Sequence, residues 1–112
     1  MSTDYIITKD IPLSEIGRLE KWEGIEVDIN PIMNGEKQKN KILFSSKNSD
    51  VGDTNYLHGY INPDNTISHV CRYGGNNPER IIQCIEDEFN VECIDEHQHD
   101  KWDQVCNEKE TV

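Results

Sequence analysis

The chain is short of positive charge. Against 22 Asp and Glu it carries 11 Lys and Arg, for a formal net charge of −11. That deficit argues against direct binding to nucleic-acid phosphates or anionic lipid, which need basic side chains to neutralise them, and it favours a basic protein partner. Long apolar runs are missing as well. No window approaches the roughly 18 apolar residues of a membrane span, and the opening stretch lacks the basic region and apolar run of a secretion signal. A soluble, cytoplasmic protein is the expectation. Aromatics are scarce, at 7%. The cysteines Cys71, Cys84, Cys93 and Cys106 are expected to stay reduced as small apolar or half-exposed thiols in that compartment.

Mechanical motifs are also absent. There is no nucleophile elbow, glycine-rich phosphate loop or cysteine with a basic neighbour that would lower its pKa. Cys93, His97, His99 and Cys106 have ligand composition, but not the paired Cys or His spacings of a structural zinc site. Asp50 and Asp53 beside Gly52 lack the alternating acidic ligands and closing Glu of a calcium loop. The chain is therefore expected not to be an enzyme, and to need no metal or cofactor. An unrecognised metal-dependent or small-molecule-binding enzyme is the alternative from a different class.

What is present reads as one α+β domain over residues 1–106 with a disordered tail, 107–112. The expected architecture is a mostly antiparallel sheet of about four or five strands with one main helix on one face. Tyr5 to Ile7 suggests a first strand. Leu13, Ile16, Leu19 and Trp22 recur every three residues, which predicts a short helix with Ser14 as N-cap and Gly24 as its stop. Ile25, Val27 and Ile29 alternate with Glu26 and Asp28 as in a half-buried strand. Asn34 to Lys41 reads as a solvated loop holding three lysines. Ile42 to Phe44 is a strand core, and the polar run Ser45 to Asn55 reads as a long mobile loop.

Tyr56–Ile61 and Thr66–Tyr73 flank Asn62-Pro63-Asp64-Asn65, a type I turn with Asn65 in the left-handed region. Counting back from Asn62 opposite Thr66 pairs Ile61 with Ile67, Leu57 with Cys71 and His58 with Val70. That register keeps the hydrophobic residues on one face and argues against a histidine pair. Gly74 and Gly75 then break the strand, Asn77 and Pro78 open a helix, and Ile81, Ile82, Ile85 and Phe89 lie on one side of it. Asn90 is its C-terminal cap. Val91 to Ile94 should form a last strand.

Charge is concentrated after that helix begins. Residues 81–112 hold ten acidic and two basic side chains, a balance of −8 out of −11. Glu86, Asp87 and Glu88 crowd the last helical turn, where the negative end of the helix dipole disfavours anions by about 0.3–1 kcal/mol each. Something other than helix stability placed them. Together with Glu92, Asp95, Glu96 and Asp100, and with His97 and Trp102 as anchors, they make the candidate partner-binding surface. In size, acidity and α+β layout the chain resembles small immunity proteins that neutralise bacterial nuclease toxins. It is also similar to phage proteins that block nucleic-acid-processing enzymes by mimicking DNA charge. The first resemblance implies a stoichiometric inhibitor of a basic toxin nuclease, and the second a DNA mimic.

Overall fold

A computed structural model describes residues 3–48, 53–75 and 77–110. In chain order the elements are β1 (Asp4–Pro12), a 3-10 helix (Leu13–Lys21), β2 (Ile25–Ile29), β3 (Ile32–Met33), β4 (Glu36–Lys37), β5 (Lys41–Asn48) and β6 (Asp53–Ile61). They continue with β7 (Thr66–Gly74), α1 (Glu79–Phe89), β8 (Cys93–Asp95) and α2 (His99–Glu110). The fold is α+β. Its main sheet has 6 strands, all antiparallel, in the order β2-β5-β6-β7-β1-β8, with a separate β3-β4 hairpin. It is larger than the expected four or five strands, and among the described residues three helices are present where one main helix and one short one were expected.

The 3-10 helix and α1 lie on one sheet face and close the core over Ile7, Ile25, Ile42, Phe44, Leu57 and Val70. The three-residue spacing of Leu13, Ile16, Leu19 and Trp22 is the period of a 3-10 helix, whose side chains at i and i+3 eclipse. Ile16 and Leu19 are accordingly buried, and Pro12 takes the N-cap position expected of Ser14. α1 follows its apolar pattern closely. Pro78 precedes Glu79 with helical φ and ψ, Ile81, Ile82, Cys84 and Ile85 are buried, and Asn90 ends the helix at φ 53°. Packing of this apolar face supplies most of the stability of so short a helix.

Four expectations are corrected. Ser45 to Asn55 is not a loop throughout. Ser45, Ser46 and Lys47 pair with Tyr56, Asn55 and Thr54. Ser46 and Asn55 are buried, which is tolerated because Arg80 Nη1 donates to Ser46 Oγ at 2.8 Å and the Asn77 N–H to Asn55 Oδ1 at 2.7 Å. Asp50 and Gly52, and the side chain of Asp53, lie outside the described residues. Within Asn34 to Lys41, Asn34 and Gly35 both take positive φ and turn the β3-β4 hairpin. α2 runs through Asn107 to Glu110, where a disordered tail was expected, with Val105 buried and Lys109 Nζ 2.9 Å from Asp10.

The fourth correction is one of register. The turn forms as expected, with Asn62 N–H donating to Thr66 O and Asn65 at φ 60°, and Ile61 pairs with Ile67. A bulge then sets both Ser68 and His69 against Tyr60, so Gly59 pairs with Val70, His58 with Cys71 and Leu57 with Arg72. Cys71 thus leaves the face of Leu57, and His58 and His69 come to share the other.

Ile94 and Val105 are buried but stand outside the main core. Ile94 is in the cross-strand row of Ile6, opposite in face to Tyr5 and Ile7, and α2 packs there against β1 and β8. Among the described residues, the second sheet face is covered by a helix only at this end. No helix among the described residues is long and apolar enough to cross a membrane.

Candidate acidic interface

The carboxylates at the end of α1 divide into two groups. Glu88 turns into the fold: its side chain is 3% exposed and receives Lys21 Nζ at 2.6 Å, Arg18 Nη2 at 2.8 Å and Trp22 Nε1 at 3.0 Å. Glu86 Oε2 accepts the Cys93 N–H at 2.9 Å, tying α1 to β8. These tertiary bonds outweigh the unfavourable dipole at the helix end and explain why acidic residues stand there. Asp87 faces solvent, with its carboxylate on Gln83 Nε2.

The hydrogen bond from Lys21, followed by those from Trp22 and Arg18, holds the Glu88 carboxyl down to about 2 from its ordinary 4.5, against the opposing effect of burial. A carboxyl depressed on folding contributes stability above its unfolded pKa, and that contribution is lost as pH falls through the folded value. Melting temperature should therefore drop between about pH 4.5 and 2. Glu88→Gln should melt lower than the parent at pH 7 and show a flatter profile across that acidic window, measured by circular dichroism.

Beyond α1 the chain folds back along the sheet edge. Thr8 and Glu92 exchange bonds, Thr8 N–H to Glu92 O and Glu92 N–H to Thr8 Oγ1, which presents the exposed Glu92 side chain outward. Asp95 Oδ1 accepts the His97 N–H at 2.7 Å in an Asx turn that carries His97 to the surface. Glu96 Oε1 accepts the Asp4 N–H at 3.2 Å. Asp100 and Asp103 follow in the first turns of α2, where the positive dipole end accommodates them. Trp102 is half-buried.

Among the described residues, no ion pair involves Asp87, Glu92, Asp95, Glu96, Asp100 or Asp103. Four described cations are paired elsewhere, Arg18 and Lys21 with Glu88, Arg72 with Glu79 and Lys109 with Asp10, while Lys101 stands on the edge itself. Of these carboxylates, Glu92 borders a groove of about 490 Å³ between α2 and β1, which has Val91, Ile94 and Val105 on its floor and Lys101 and Glu108 also on its rim. An apolar floor inside a charged rim is the layout of a protein-binding patch.

Among the described residues no three His, Cys, Asp or Glu side chains gather as a possible metal site. Cys93 is buried, and desolvation with the nearby Glu86 pushes its thiol up to about 12. Burial also raises Cys84.

A second assembly was not anticipated from the sequence. Tyr56, His58, Tyr60, His69 and Tyr73 stand together on the uncovered sheet face. The alternation Tyr56, His58, Tyr60 was the available signal, since residues two apart on a strand share a face. The bulge that adds His69 was not legible. In comparisons with known proteins, no family model, no curated protein and no solved structure matches the chain.

Proposed function

We propose that this protein is a small acidic binding protein that neutralises a basic protein stoichiometrically, with a toxin nuclease as the partner class. One observation carries the reading: Asp87, Glu92, Asp95, Glu96, Asp100 and Asp103 along the α1–β8–α2 edge stand outside every internal ion pair among the described residues, so their field acts outward. Such a field raises the rate of encounter with an oppositely charged protein, towards about 10⁸ M⁻¹s⁻¹ at low salt. Contacts on the groove floor and at Trp102 and His97 then set the lifetime of the complex.

Affinity capture with the intact chain should recover a basic protein whose nuclease activity falls to zero at one equivalent. Reversing Asp87, Glu92 and Asp100 to lysine should slow its association by about 10–100-fold at low salt and flatten the salt dependence, with the melting temperature kept. Glu88 is left out of that variant because it holds the fold together. A reversed variant that associates as fast as the parent would remove the edge as the binding surface.

A further inference from the structure

The uncovered part of the second sheet face carries three of the chain's four tyrosines. The rings form an unbroken strip across β6 and β7. Centroid separations are 6.2 Å for Tyr56–Tyr73, 5.6 Å for Tyr73–His58, 5.5 Å for His58–Tyr60 and 5.7 Å for Tyr60–His69. Cross-strand pairing would account for two neighbouring rings in contact. It does not account for a five-ring strip whose members Tyr60 and Tyr73 remain 42% and 50% exposed.

The surroundings of the strip say what it suits. Lys41 Nζ already lies 5.8 Å from the centre of the Tyr60 ring, so a cation on this face is part of the fold's own chemistry. At the Tyr56 end the face opens into a groove of about 720 Å³ whose walls include Glu20, Glu26 and Asp28, with Lys47 also lining it and its Nζ 3.8 Å from Glu26 Oε1, which leaves two of the three carboxylates for an incoming cation. At the other margin Asp4 Oδ1 stands 3.6 Å from His69 Nε2. Rings in the middle with carboxylates at both ends match a planar cation, which stacks along its length and forms charge-assisted bonds at its tip.

We propose that this face binds an extended, arginine-bearing segment of a protein partner. Guanidinium groups stack on Tyr60, His58 and Tyr73, and one of them reaches the Glu20, Glu26 and Asp28 groove. The proposal rests on the partner being basic, but not on the acidic edge being where it docks. Tyr56 to Tyr60 spans about 13 Å of strand, room for about four extended residues. Arginine fits better than lysine because the guanidinium is flat and weakly hydrated, whereas an ammonium is a compact, strongly hydrated charge. Bases of a single-stranded nucleic acid would also stack here, but their phosphates would meet these carboxylates on a protein of net charge −11.

His58 adds to the fit. Burial pushes its pKa down, helped by Lys41 and His69 and opposed by Asp4. At neutral pH its ring is therefore an uncharged stacking surface.

The test uses the intact chain with nona-arginine and nona-lysine peptides, which carry the same charge, and reads affinity by fluorescence anisotropy. The parent should bind nona-arginine about tenfold more tightly than nona-lysine. Tyr60→Thr with Tyr73→Thr removes two rings, keeps every charge and suits a strand, and should bring that ratio close to one. Tyr60→Phe with Tyr73→Phe should keep it. The lysine-reversed edge variant should weaken both peptides and leave the ratio alone, which separates failure of this proposal from failure of the edge. On the unaltered protein, nona-arginine should shift the ring-proton resonances of Tyr56, Tyr60 and Tyr73 more than those of the buried Tyr5, a readout that needs no variant to fold. Equal affinities in the parent, a ratio unmoved by the threonine pair, or ring protons of Tyr5 shifting as much as the others would overturn the proposal. So would tight binding of a twelve-nucleotide oligothymidylate that the threonine pair abolishes, which would make the strip a base-stacking platform.

Discussion

Alanine in place of Phe44 should destabilise the fold by about 3–5 kcal/mol, the range for emptying a buried aromatic site. Phe44 is completely buried on β5, between its cross-strand partners Val27 and Leu57. It belongs to the core cluster closed by α1 and the 3-10 helix. Against a total stability of about 5–15 kcal/mol, a loss of this size lowers the melting temperature by roughly 10–20 °C. Urea denaturation should show the midpoint falling with an unchanged slope. Loss of cooperativity would mean instead that the sheet and the helical layer unfold separately.

The second large effect is expected at Gly75, where β7 hands the chain to α1. Gly75 has φ +94°, and a Cβ there would stand 2.4 Å from Asn55 Oδ1 and 2.6 Å from Asn55 Cα. Asn55 cannot retreat without cost, because it is buried and its Oδ1 accepts the Asn77 N–H at the entry to α1. Gly75→Ala therefore combines a strained backbone with a broken buried hydrogen bond, about 2–4 kcal/mol in all. Hydrogen exchange should localise the damage, with amides at the start of α1 losing protection before those of β6. An alanine variant as stable as the parent would show that the β7–α1 junction relaxes freely.

These two positions also mark where the sequence was legible and where it was not. α1 could be read because a glycine pair, a proline and a 3.6-residue apolar pattern all point to one helix, and local signals sufficed. The Asn62–Asn65 turn could be read for the same reason. Its register could not, since the bulge at Tyr60 answers to packing across strands and leaves no local mark. The polar run Ser45 to Asn55 looked like a loop because Ser46 and Asn55 are core residues satisfied by Arg80 and Asn77, partners that only the fold brings near. The acidic edge was visible as charge. Which carboxylates belong to it was not, because Glu88 is claimed by Arg18, 70 residues away in sequence.

The strand order carries a consequence for how the molecule is made. β5, β6 and β7 follow one another and pair as neighbours, so that half of the sheet can zip up as the chain emerges from the ribosome. β1 is threaded between β7 and β8, with Tyr5 facing Val70 on one side and Asp95 on the other. The earliest strand synthesised must therefore wait for segments about 65 and 90 residues later before either of its edges is satisfied. Pairings that span so much chain put folding in the slower, millisecond-to-second range. During translation the ring strip on β6 and β7 comes into being first, and the acidic edge on β8 is assembled last. A nascent chain halted before Cys93 would carry the ring strip without β8 and α2, with one edge of β1 still unpaired.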